Sequence, residues 1–209
     1  MTLMSDNVMM FIVTSIVLAL APGPDNLYVI SQSALYGART GFIITLGLCS
    51  GLIIHIAAVV FGLATWLTTS PITFVWLKFI GAGYLLYLAW RALRTPVITA
   101  LTDTKRLDTS LSLLRIGFLM NVSNPKVALF FLAFLPQFID TSGISVSWQI
   151  VYLGLIFMLT ALMIFSVMAL TAASMGRWLI ASSRAQRILQ SLTALIFTLL
   201  AARLLFYQL

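Results

Sequence analysis

Six stretches of this chain are long and apolar enough to be membrane-crossing helices, and that excludes a water-soluble fold. A helix needs about 20 predominantly apolar residues to cross the hydrocarbon layer of a bilayer. The stretches are 8–35, 41–67, 72–93, 113–138, 147–175 and 188–206. They hold most of the 209 residues, and only 8% of the chain is charged, against about 25% in soluble domains. The sequence therefore predicts an all-α membrane protein with six transmembrane helices in a single domain. The longest connection, 94–112, is too short to be a second domain.

Charge sets the expected orientation. The net charge is +7, which in a soluble chain would raise a nucleic-acid partner. Here the basic residues cluster between spans, as topology alone requires. Arg39 lies in the first connection; Arg91, Arg94, Lys105, Arg106 and Arg115 surround the third; Arg177, Arg184 and Arg187 lie in the fifth. The second and fourth connections carry no Lys or Arg, and only Arg203 dissents. The odd-numbered connections are therefore expected in the cytoplasm and both termini outside. The first stretch lacks the basic start and small-residue cleavage site of a signal peptide, so it is expected to remain as a span.

The span at 8–35 is interrupted where interruption costs most. "ALAPGPDNLYV" places Pro22, Gly23, Pro24 and Asp25 near its middle. The prolines lack an N–H donor, Gly23 permits unusual dihedrals, and Pro24 suits the first position of a new half-helix. The span at 113–138 is interrupted by Asn124-Pro125, since a residue before proline is turned away from helix. Backbone groups freed in this way must face protein or a watery cavity. Broken first helices in two three-helix halves are the mark of an inverted repeat. The expected organisation is a 3+3 inverted repeat, with repeat 1 about 1–95, the loop about 94–112 and repeat 2 about 113–209. At 1.5 Å per residue, Pro22, Pro125 and His55 each lie roughly 20 Å from one end of a span, near the midplane.

This places charge at the centre of the bilayer, where a carboxylate costs about 2.5–3.5 kcal/mol on insertion scales. Asp25 falls in the first turn of a half-helix, whose positive end favours an anion. Lys126 holds the matching place in the other half, where a cation is disfavoured, so it needs a partner or must snorkel. Asp25, Asn26, Asn121, Asn124 and Lys126 are the candidate substrate-binding residues, with Asp25 and Lys126 expected to face each other across the repeat interface. Such a pair suits a zwitterion. Asp25 and His55 are the candidate proton-coupling groups, His55 because imidazole titrates near neutrality. The plainer alternatives are a structural kink at Pro125 and a hydrogen-bonded buried histidine. Lys78 is expected to snorkel to the interface. Gly47 and Gly51 have a spacing that allows close helix packing; with Gly81 they are possible contact points of a homodimer. Tyr84, Tyr87 and Trp90 form an interfacial belt, from which the two tyrosines could reach a cavity. The lone Cys49 is expected to serve packing.

Four segments in order carry a family resemblance: Pro22-Gly23-Pro24-Asp25, "SGLIIH" ending at His55, "GAGYLLYLAWRAL" from Gly81, and "NVSNPKVALFFLAFLPQF" from Asn121. Together they resemble the LysE/RhtB family of bacterial amino-acid exporters over essentially the whole chain. The resemblance implies an inner-membrane carrier that expels amino acids using the proton gradient, with no cofactor. It also implies that Asp25, Asn121, Asn124, Pro125 and Lys126 line or shape the path. His55 after the glycine pair looks like the homoserine/threonine branch. The few site charges speak against a dibasic substrate, which puts small neutral amino acids such as threonine or homoserine first, with leucine-like, sulfur-containing or basic ones as the alternative. A thiol-redox carrier would need a second cysteine, and a metal exporter more carboxylates. An intramembrane hydrolase would need a partner for His55, for which only Ser31 and Ser50 offer themselves. A selective channel or membrane scaffold is the competitor from another class.

Overall fold

The computed structural model describes residues 2–66, 71–94, 109–140, 145–181 and 183–206. Within them the chain is all helix: α1 (Thr2–Leu20), α2 (Pro24–Tyr36), α3 (Ala38–Trp66), α4 (Pro71–Arg94), α5 (Ser110–Val122), α6 (Pro125–Leu129), α7 (Val146–Ala181) and α8 (Ser183–Phe206). After α6 the helix widens into a π turn, Phe130–Phe134, then tightens into a 3₁₀ turn, Leu135–Phe138. Pro136 lies in the tightened turn, where it cannot donate to the helix ladder. Of the basic residues that set the expected orientation, Lys105 and Arg106 lie outside the described residues. Arg177, expected in a connection, is instead within α7, because the fifth and sixth spans run on as helix almost to each other.

Three single helices are long and apolar enough to cross a membrane: 38–62, 146–174 and 186–206. Two further helix pairs are together long and apolar enough to cross, each bent at a break. Asn7–Leu20 meets Pro24–Tyr36 at 60°, and Ser110–Val122 meets Pro125–Phe138 at 47°. This is an all-α membrane protein, and the interruptions fall where the prolines place them. α4 is not among the apolar spans, but it lies antiparallel along α8. Gly81 approaches Leu204, and the Lys78 ammonium donates to the Leu205 carbonyl at 3.0 Å. Lys78 therefore closes the last turn of α8, a favourable place for a cation, instead of simply snorkelling.

α3 and α5 run parallel and almost touch at their backbones. A Cβ on Gly47 would overlap the Leu114 carbonyl, one on Gly117 the Ile44 carbonyl, and one on Gly51 would crowd Asn121. Gly81 packs on Ala133 in the same way. These glycines are thus used within the chain, which removes them as support for a dimer. We expect Gly47→Val to destabilise the fold by about 1–3 kcal/mol through overpacking. Gly83→Ala, whose added methyl meets nothing within 4 Å, should leave the thermal unfolding midpoint unchanged. Between α2 and α3, Gly37 has φ 89° and ψ 164°, a region essentially closed to other residues.

The buried centre is aromatic. Phe11 packs edge-on to Phe138 at 5.2 Å, and Phe157 lies 5.0 Å from Phe130 and 5.3 Å from Phe131. The Arg203 guanidinium lies 5.1 Å from the Phe138 ring centre and 5.9 Å from that of Phe134, a cation–π contact that gives this dissenting basic residue a place against the protein.

Candidate functional site

Both interruptions have the same local chemistry. Gly23 is the N-cap of α2, with Pro24 and Asp25 as its first two helical residues; Asn124 is the N-cap of α6, followed by Pro125 and Lys126. In each, proline occupies a position whose N–H would have no helical acceptor. The caps differ. The Asn124 side-chain oxygen accepts from the Lys126 amide at 3.0 Å. Gly23 has no side chain to offer, so the α2 N-terminus is not capped in this way.

The two half-helices are tied across each other. The Asn124 side-chain amide donates to both carboxylate oxygens of Asp25, at 2.7 and 2.6 Å. The Lys126 ammonium reaches back to the end of α1 and donates to the carbonyls of Ala21 at 3.1 Å and Leu18 at 3.4 Å. Those carbonyls lie at the C-terminal end of α1, Leu18 in its last turn and Ala21 just beyond it, the negative end of a half-helix. The cation that sits badly at the start of its own helix is thus satisfied at the end of another. It also lies against Gly23, 3.2 Å from where a Cβ would stand. Asp25 and Lys126 do come together, as the sequence suggests, but through an amide and two carbonyls, not by direct pairing. All three polar residues are buried, Asp25 at 2%, Asn124 at 4% and Lys126 at 6% exposure.

Asn26 donates to the Ala19 carbonyl at 2.7 Å. It therefore serves the broken end of α1, and it lines neither cavity described below. Asn121 gives its carbonyl to His55 Nε2 at 3.0 Å, while its side-chain oxygen is buried without a hydrogen-bond partner. His55 stacks on Phe131 with ring centres 6.0 Å apart, behind Asn121. Neither serine is its partner: Ser31 donates to the Leu27 carbonyl and Ser50 to that of Gly47.

Two cavities meet at Lys126. The first, about 20 Å³, is lined by Asp25, Asn121 and Lys126 with Leu18, Cys49 and Phe157 among its walls; it has room for about one water. The second, about 260 Å³, lies between the interruptions and the α4–α8 pair. Gly23, Pro24, Asn124 and Lys126 form its floor, and Tyr84, Arg91, Gln186 and Gln190 lie on the side toward the α4 C-terminus and the α8 N-terminus. Tyr84 thus reaches a cavity, while Tyr87 stacks between it and Trp90. Where the π turn meets α4 and α8 near Gly81 and Leu204, only about 10 Å³ is left, walled by Phe130, Phe134, Leu85 and Leu200.

A helical membrane protein whose broken spans enclose a buried acid, a buried base and a cavity reaching toward one end has the build of a membrane translocator. The family comparison agrees. The chain belongs to the LysE type translocator family, whose model matches residues 16–208. It is 32% identical over 166 residues to an uncharacterized membrane protein of Pseudomonas aeruginosa, covering 76% of each chain. It is 26% identical over 195 residues to a leucine efflux protein of an Enterobacter species, covering 93% of this chain and 92% of that one. It is 27% identical over 199 residues to a leucine efflux protein of Salmonella choleraesuis, with 93% and 92% coverage. No solved structure matches.

Proposed function

We propose that this protein exports neutral amino acids across the bacterial inner membrane in exchange for protons. The observation that carries this reading is the cross-tied pair of half-helix ends, with a buried carboxylate and ammonium lining one small cavity. A zwitterion needs both kinds of partner. Its carboxylate fits the uncapped start of α2, where amide N–H groups and the helix dipole favour an anion. Its ammonium fits Asp25, the unpartnered Asn121 oxygen and the carbonyls ending α1 that the Lys126 ammonium occupies when substrate is absent. Asn124 holds Asp25 in place, and Asn26 holds the broken turn. Of the two proton-coupling candidates, Asp25 lines the small cavity and His55 lies behind Asn121, bonded to its carbonyl.

With α4 counted as the third of six crossings and the basic connections inside, this reading puts the end of α4 and the start of α8 in the cytoplasm and both termini outside. The larger cavity then opens inward, and the aromatic packing around Phe130 and Phe134 closes the outward route. The pairing of helices supports the inverted repeat. α3 packs on α5 as α7 packs on α1 and α2, while α3–α7 and α4–α8 are pairs that a two-fold axis returns to themselves. Repeat 1 is then about 1–95 and repeat 2 about 113–209.

Threonine and homoserine suit the charge balance. Leucine-like substrates are favoured by two observations: the aliphatic walls Leu27, Leu88 and Ala92 of the larger cavity, and the leucine efflux activity named for relatives aligned over nearly the full chain. Reconstituted vesicles loaded with unlabelled amino acid should take up labelled leucine by counterflow, and an imposed pH gradient should drive its accumulation. A panel with threonine, homoserine, methionine and lysine ranks the substrates, with lysine last. Downhill flux without counterflow would identify a channel and end this reading.

A further inference from the structure

The Lys126 ammonium is buried in the membrane interior with two backbone carbonyls as its acceptors and no carboxylate bonded to it. Among the described residues it is also the one that lines both the small cavity and the larger cavity beneath α4 and α8. Carbonyls at the end of a broken helix are acceptors for any cation, and a substrate ammonium brought to Asp25 would arrive beside them. Two cations cannot share these acceptors in a site of low dielectric, where like charges repel strongly.

We propose that Lys126 carries the exchanged proton, its ammonium and that of the substrate being alternative occupants of the Leu18 and Ala21 carbonyls. This rests on the export reading above and deepens it. Facing the cytoplasm, the Lys126 ammonium releases its proton to water and becomes a neutral amine, and the substrate ammonium takes the carbonyls and Asp25. Facing outward, the substrate leaves and the amine lone pair binds a proton from that side. One proton enters for each zwitterion that leaves, and no covalent bond to the substrate forms. Exclusion of one cation by the other is what makes the exchange obligatory, since a site that held both would carry them in the same direction. The other titratable or charged groups around the ammonium are few. Asp25 comes from α2, Cys49 from α3 with His55 behind Asn121, and Tyr84 and Arg91 from α4; the cavity walls from α1, α5, α7 and α8 carry none. Lysine can exchange its proton within a protein, whereas arginine remains charged.

The test uses Lys126→Gln, Lys126→Arg and, as a control, Gly83→Ala in vesicles, with labelled leucine. Lys126→Gln, fixed neutral, should keep counterflow, lose accumulation driven by a pH gradient, and lose the pH dependence of exchange. Lys126→Arg, fixed charged, should lose both counterflow and accumulation. Gly83→Ala, which adds a methyl into open space, should keep gradient-driven accumulation. In weakly buffered detergent solution, leucine binding should release about one proton per leucine from the native protein and none from Lys126→Gln. Gradient-driven accumulation or unchanged proton release in Lys126→Gln would overturn the proposal. So would a folded Lys126→Gln protein that neither binds nor exchanges leucine, because a neutral side chain should leave the acceptors open. If the native protein exchanges no amino acid on the panel, the export reading itself has failed, and that result is distinct from any of these.

Discussion

Asp25→Asn will reduce amino-acid transport by about two orders of magnitude while leaving the protein folded. The carboxylate is 2% exposed and receives both of its hydrogen bonds from the Asn124 amide. An asparagine in its place still offers an oxygen to that amide, so the tie between the half-helices persists. What disappears is the negative charge beside the α1 carbonyls. Loss of one member of a desolvated charge pair costs about 2–5 kcal/mol of binding, which corresponds to a factor of roughly 30 to several thousand. Counterflow in vesicles reads the loss, and an unfolding midpoint close to that of the native protein shows that the fold is intact. Full proton-coupled transport by the variant would mean that Asp25 does not meet the substrate.

Asn124→Ala will act the other way round, on stability before transport. One side chain caps α6 and neutralises the hydrogen-bonding demand of Asp25. Alanine leaves the Lys126 amide uncapped, at a cost of about 1 kcal/mol. It also leaves a buried carboxylate without its donors, and hydrogen bonds to a charged group contribute about 1.5–3 kcal/mol. The thermal unfolding midpoint in detergent should therefore fall clearly below that of the native protein. The double variant Asn124→Ala with Asp25→Ala should recover part of the loss, because the orphaned charge is gone. If the double variant is less stable than Asn124→Ala, the carboxylate does not depend on the amide as the geometry indicates.

The interruptions were readable from the sequence because their causes are local. Proline lacks a donor wherever it sits, so Pro22, Pro24 and Pro125 mark the ends of α1, α2 and α6 without reference to any neighbour. Depth followed from helical rise, which is equally local. The partners were not readable. That Asn124 reaches Asp25, ninety-nine residues away, depends on how the two halves meet. So does the reach of Lys126 to Ala21, which resolves a charge that looks misplaced when its own helix is considered alone. Spacing predicted that Gly47 and Gly51 would permit a close approach, but not that α5 of the same chain would make it. The π turn at Phe130–Phe134 had a signal in Pro136, which lies one turn beyond it. His55 shows the opposite limit. Its place within an apolar span was legible, but its placement behind Asn121, outside either cavity, needed the packing of α3 on α5.

Determining the structure with leucine bound tests most directly whether the crossed half-helix ends form the substrate site. The account predicts leucine at the junction of the two cavities, its carboxylate at the start of α2 and its ammonium within hydrogen-bonding distance of the Asp25 carboxylate. Leucine bound elsewhere, with Asp25 still held by Asn124 alone and the Lys126 ammonium still on the carbonyls of Leu18 and Ala21, would contradict it.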